Sequence, residues 1–126
     1  SDKLKKMYAT VQAGQKIGFD LIRDGLNGRE VHQKILDLFA REGFPTGQIK
    51  GRMQGFFHGT GHGLGLDIHE APRIGPVDAI LKRGHVVTVE PGLYYLGIGG
   101  VRLEDVVLVT DNGNKNLTDC PQFLEI

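Results

Sequence analysis

The residues with the types and spacing to do chemistry are His58, His62 and His69, all within FFHGTGHGLGLDIHE (Phe56 to Glu70), followed by Glu90 in VEPG and Glu104 in VRLED. Imidazole and carboxylate together form the donor set that divalent transition metals prefer. Glycines surround His58 and His62, so the sequence predicts that a loop presents both imidazoles and lets backbone approach a ligand closely. A lone glutamate in a strand commonly faces solvent, and Arg102, two residues from Glu104, could make an ordinary ion pair with it. The order and context of the five residues together are what single them out. The other histidines carry less: His85 beside Gly84 has no chemical context, and His32 lies off the apolar face of its helix and reads as solvated.

Strand geometry decides which of these groups can meet. Side chains alternate along a strand, so Thr88 and Glu90 share a face opposite Val87 and Val89, and Arg102 and Glu104 share a face opposite Val101 and Leu103. Antiparallel pairing through the Leu93 to Gly100 connection would bring Glu90 and Glu104 together. Two carboxylates so placed repel one another, at a cost of several kcal/mol, unless a cation lies between them.

Other chemistries fail on specific grounds. His58 and His62 have the i, i+4 spacing of helical zinc peptidases, but Gly59, Gly61 and Gly63 disfavour a helix and no Glu follows His58. The alternating glycines do not spell a dinucleotide or phosphate loop. Ser1 is the only serine, and Cys120 has no neighbouring base, so neither reads as a nucleophile.

The elements that must position these residues read as two helices followed by a β-rich half. Leu4, Met7, Tyr8, Val11, Leu21 and Ile22 recur at helical spacing, with Gly14 and Gly18 flattening the same side, up to a stop at Gly25. After the Asn27-Gly28 turn, a second helix over Arg29 to Glu42 places Val31, Ile35, Leu38 and Phe39 on one face and ends at Gly43. Strands are expected near Phe56 to His58, Val86 to Glu90, Val101 to Thr110 and close to the C-terminus, with Asp111-Asn112-Gly113 as a turn.

The 126 residues fit a single domain, residues 1–126, and 15 Lys+Arg against 15 Asp+Glu leave no basic stripe for nucleic acid or an anionic membrane. No apolar run approaches the roughly 18 residues of a membrane span, and the N-terminus has no signal-peptide pattern. The single cysteine, Cys120, excludes an internal disulfide and fits a reducing cytoplasm or a buried apolar thiol.

Taken together, HGTGHGLGLDIHEAP, VEPGLY and GVRLEDVVLVT resemble the C-terminal half of the creatinase/aminopeptidase superfamily, the pita-bread metallopeptidases of family M24. The similarity is to the Xaa-Pro dipeptidase (prolidase) and aminopeptidase P branch. A histidine four residues ahead of the metal-binding one and an arginine two ahead of the last glutamate, here His58 and Arg102, mark that branch off from the methionine aminopeptidases. The resemblance implies an α+β fold, a curved antiparallel sheet backed by helices. It implies His62, Glu90 and Glu104 as metal ligands, Glu90 also handling a proton and Glu104 bridging two ions. It further implies His58 and His69 as residues that hold the substrate and stabilise the tetrahedral intermediate, and Arg102 as the residue orienting the bridging glutamate or a substrate carboxylate. Two divalent ions, commonly manganese with cobalt or zinc as substitutes, and a peptide with proline at its second position are the implied cofactor and substrate.

One departure from the family pattern stands out. The superfamily supplies two further aspartate ligands from a hairpin upstream, and no such hairpin is present; Asp67 and Asp78 share the spacing but not the flanking residues. The expectation is therefore a C-terminal catalytic portion that begins just downstream of that hairpin, with weak metal affinity alone and, through an uncovered sheet edge and apolar face, self-association into a homo-oligomer. A non-catalytic peptide-binding or protein-interaction module on the same fold, and a creatine-type C–N hydrolase, stay open as alternatives.

Overall fold

The computed structural model describes residues 1–118 and 120–124. Helix α1 spans Asp2–Leu21, opened by Ser1, whose Oγ accepts the Leu4 N–H, and α2 spans Gly28–Arg41, opened by Asn27. The Asn27 side chain accepts from Arg29 N–H at 3.1 Å and from Ala79 N–H at 3.2 Å, so the cap also fastens the helix to a distant loop. The two helices pack closely because α1 carries glycine where they meet. A Cβ on Gly14 would lie 2.6 Å from Phe39 Cε1, and one on Gly18 would lie 2.6 Å from Val89 Cγ1, so α1 lies against both α2 and the sheet.

Among the described residues nine short strands follow: β1 Gly47–Ile49, β2 Arg52–Gln54, β3 Gly61–Gly63, β4 Glu70–Ile74, β5 Val86–Val89, β6 Gly92–Tyr95, β7 Gly99–Arg102, β8 Asp105–Val109 and β9 Asn114–Asn116. Five of them form one sheet in the order β4-β3-β5-β8-β9, while β1-β2 and β6-β7 are separate hairpins; every pairing is antiparallel. Met7, Val11 and Ile22 from α1 and its end, Ile35 and Phe39 from α2, and Val87, Val89 and Val107 from the sheet are fully buried in one core cluster. Among the described residues, no helix is long and apolar enough to cross a membrane.

Four expectations are corrected. The strand expected at Phe56 to His58 lies earlier, at Arg52–Gln54, and His58 sits in a loop. The glycines around His62 do not make a loop there: Gly61–Gly63 is strand β3. Glycine is required for a different reason, since a Cβ on Gly61 would lie 1.8 Å from the Thr88 carbonyl oxygen of the adjoining strand. The strand expected over Val101 to Thr110 is broken at Leu103-Glu104 into β7 and β8, which belong to different sheets. Pro91 lies across from this break, where Leu103 N–H reaches the Pro91 carbonyl at 3.4 Å; proline has no N–H to return, so the ladder is interrupted. Finally, Cys120 is exposed, not a buried apolar thiol.

Candidate metal and catalytic site

The hairpin that carries the two glutamates keeps one register on both sides of its break. Val89 faces Asp105 in the large sheet and Gly92 faces Arg102 in the smaller one, which places Glu90 and Glu104 across from each other at the joint between sheets. Alternation holds as the sequence predicted, since Thr88 Oγ1 donates to Glu90 Oε1 at 3.0 Å. The same hydroxyl accepts the His62 N–H at 3.0 Å, so Thr88 ties the β3 histidine to the β5 glutamate.

His62 Nε2 lies 3.1 Å from Glu90 Oε1, with both side chains largely buried. The other ring nitrogen, Nδ1, is 2.9 Å from the Gly63 carbonyl oxygen, which can only accept; Nδ1 therefore carries a proton. In the neutral ring the Nε2 lone pair then faces a carboxylate oxygen, and two acceptors at contact distance require a proton or a cation between them. The pair could hold either, and the Nδ1 bond to a carbonyl is of the kind that also orients ligating histidines. Arg102 completes the setting of Glu90: its Nη1 lies 3.7 Å from Glu90 Oε2. Arg102 thus pairs with Glu90, not with Glu104 as its sequence neighbourhood suggested.

His58 is held the same way. Its Nδ1 donates to the Gly59 carbonyl oxygen at 2.8 Å, leaving Nε2 to accept from the Tyr94 hydroxyl at 3.1 Å. Gly92 makes this contact possible, because a Cβ there would lie 2.6 Å from the Tyr94 hydroxyl oxygen and 3.1 Å from His58 Nε2. Burial raises the Tyr94 pKa, with Arg102 opposing and Glu90 reinforcing the shift, so the phenol stays protonated and serves as the donor. His69 is exposed and stands edge-on to the His62 ring, with centroids 4.7 Å apart.

His58, His62, His69, Glu90 and Arg102 thus line one cleft of about 200 Å³, joined by Arg73 from the strand beside His62. Glu104 stands apart from them: it is exposed, does not line that cleft, and has no ion pair or hydrogen bond among the described residues. Nor do three His, Cys, Asp or Glu side chains converge closely enough to hold a metal among the described residues. Tyr94, Arg73 and Thr88 also support the site. Tyr94 had a usable signal, since alternation from Thr88 through Glu90 and Gly92 leads to it. Arg73 had none, because its place depends on the pairing of β4 with β3.

His32 is the largest correction. It is buried, 6% exposed, not solvated, because the inward stripe of α2 is Gly28, Val31, His32, Ile35 and Phe39, wide enough to include it. Burial, with His58 adding to it, lowers its pKa from 6.5.

The sequence profile of metallopeptidase family M24 matches residues 1–111, and the chain belongs to that family. Among its relatives, the Xaa-Pro dipeptidase of Pyrococcus furiosus is 43% identical over 121 residues, covering 94% of this chain and 32% of that protein. Among solved structures, an Xaa-Pro dipeptidase from Bacillus anthracis superposes with a TM-score of 0.86 at 44% identity, covering 98% of this chain and 33% of that one. The prolidase of Pyrococcus horikoshii OT3 gives 0.85 at 36% identity, with 97% and 33% covered. The fold is accordingly the α+β pita-bread fold. The chain spans about a third of the length of the relatives it matches.

Proposed function

We propose that the chain contributes the C-terminal half of a dinuclear-metal peptidase site that hydrolyses Xaa-Pro bonds, further ligands coming from outside it. The single observation that carries this reading is His62 Nε2 facing Glu90 Oε1 at 3.1 Å with Nδ1 already committed to a carbonyl. His62, Glu90 and Glu104 would hold the ions. Bound there, a pair of divalent ions, commonly manganese, would lower the pKa of a shared water and offset charge developing on the scissile carbonyl oxygen.

The chain's own residues do the rest. Glu90, steadied by the Thr88 hydroxyl and the Arg102 guanidinium, takes a proton from the attacking water at Oε1 or Oε2 and delivers it to the proline nitrogen as the C–N bond breaks. His58 and His69, on opposite sides of His62 in the sequence, both border the cleft; His69 acts as a hydrogen-bond donor to substrate oxygens there, while His58 does so only once its Nε2 gives up the Tyr94 hydroxyl and gains a proton. Arg102, half exposed, is placed to hold a substrate carboxylate while it steers Glu90.

After dialysis against manganese at neutral pH, elemental analysis should find no ion, or one loosely held ion, per chain. Two tightly held ions would mean that this chain or a neighbouring copy completes the ligand set. In the complete enzyme, proline release from an Xaa-Pro dipeptide should be lost in His62→Ala and Glu90→Gln, and manganese affinity should fall at least about tenfold. Full activity in Glu90→Gln would sink the reading. The lack of three converging donors among the described residues favours a second reading, a peptide-binding module. It predicts binding of Xaa-Pro peptides unaffected by a chelator.

A further inference from the structure

Thr60 lies midway between His58 and His62, fully buried, and each of its polar groups is tied to a different element. Its N–H donates to the Ile74 carbonyl of β4 at 2.7 Å, and its carbonyl accepts the Glu90 N–H at 2.7 Å. Its hydroxyl meets His32 Nδ1 on α2 at 3.0 Å. The His32 ring also lies tilted against Phe56, centroids 5.0 Å apart, and Phe56 stands edge-on to His58 at the same separation. One helical histidine thereby contacts the segment that carries His58 and His62 at its midpoint, Thr60, and just ahead of it, at Phe56, and through Thr60 it reaches the backbone of Glu90.

From this arrangement we infer that His32 is a positioning residue for the site: its hydrogen bond to Thr60 fixes His58, His62 and Glu90 relative to one another. The physical need is clear. In the His58 to Gly61 segment, Gly59 and Gly61 contribute no side-chain packing, so the buried Thr60 is what anchors the backbone between the two histidines. A rotation about the permissive glycine backbones would move either imidazole by more than a hydrogen bond tolerates. A buried bond from a rigid helix removes that freedom, which is what a reacting constellation requires of its supports. An apolar residue of similar size would fill the same space but leave the Thr60 hydroxyl unpaired. The consequence for catalysis rests on the peptidase reading above; the positioning itself does not.

The test is amide hydrogen exchange read by NMR on the 126-residue chain, without metal or substrate. In His32→Leu the Glu90 and Thr60 amides should exchange about tenfold faster, while the Val109 amide, bonded to the His85 carbonyl at 2.8 Å, keeps its rate. His32→Asn, whose side-chain amide can reach toward Thr60 from near the Nδ1 position, should restore most of the protection. Thr60→Val removes only the hydroxyl and keeps the His32 ring, so it should reproduce the His32→Leu pattern even where that variant fails to fold. Unchanged Glu90 and Thr60 exchange in Thr60→Val, or an equal rise at Val109, would overturn the inference and leave His32 a space-filling residue. A complete enzyme that failed to release proline would count against the peptidase reading alone.

Discussion

At the scale of single residues, the site is organised by groups that can only accept. The carbonyls of Gly59 and Gly63 each claim the Nδ1 proton of the preceding histidine, which leaves His62 Nε2 to face Glu90 and His58 Nε2 to accept from Tyr94. Burial, with His58 adding to it, makes the His32 imidazole titrate below its ordinary 6.5. Between that lowered value and 6.5 the unfolded chain binds more protons than the folded one, so stability rises with pH across this window and falls as the solution is acidified through it. Chemical denaturation at pH 7 and 5.5 should show the folded state losing stability at the lower pH, with a smaller loss in His32→Asn. His58, His62, His69, Glu90 and Arg102 were legible in the sequence as one group because each pairs a reactive side chain with a distinctive local context. His32 was not, since a polar residue inside an apolar stripe looks the same in sequence as one just outside it. Arg73 was invisible for another reason: only strand pairing across the cleft places it.

At the scale of elements, backbone proximity sets the tolerances. Strands β3 and β5 run so close at Gly61 that Gly61→Ala would drive a methyl group into the Thr88 carbonyl. It should destabilise the fold by about 3 kcal/mol or more, measured by urea unfolding, and should displace His62 with it. A second tolerance lies behind the hairpin joint. Asp105, buried beside Glu104, accepts from Gln15 Nε2 at 3.0 Å, from Thr118 Oγ1 at 2.6 Å and from Gln122 Nε2 at 3.0 Å, linking α1, β8 and the chain beyond β9. Asp105→Ala strands these donors and should cost about 1–3 kcal/mol in the same measurement. Both helices were readable from apolar spacing, and the ends of α2 differ from expectation by a single residue. The strands were less so: alternation gave the faces of β5 and β7, but the split at Leu103-Glu104 follows from the missing N–H of Pro91 across the ladder, a partner effect that no reading of one strand contains.

At the scale of the whole molecule, apolar surface is left uncovered next to the cleft. Leu66 is 103% exposed and Ile68 83% exposed, in the loop between His62 and His69, and β4 offers a free edge to the sheet. Such a surface favours association between copies. Sedimentation of the chain should show concentration-dependent oligomers, and Leu66→Ser with Ile68→Ser should shift them toward monomer; an unaltered distribution would place the contact elsewhere.

The joint at Pro91 separates two sheets without freeing either. Beyond it, Leu93 of the β6-β7 hairpin is fully buried in the core, and Tyr94 exchanges backbone hydrogen bonds with Gly55 at 2.9 and 3.2 Å. The phenol that meets His58 therefore hangs from a backbone pinned at the same residue, and the two ends of the hairpin strand, Glu90 at the joint and Tyr94 beyond it, act as a fixed gauge for the spacing of His62 and His58.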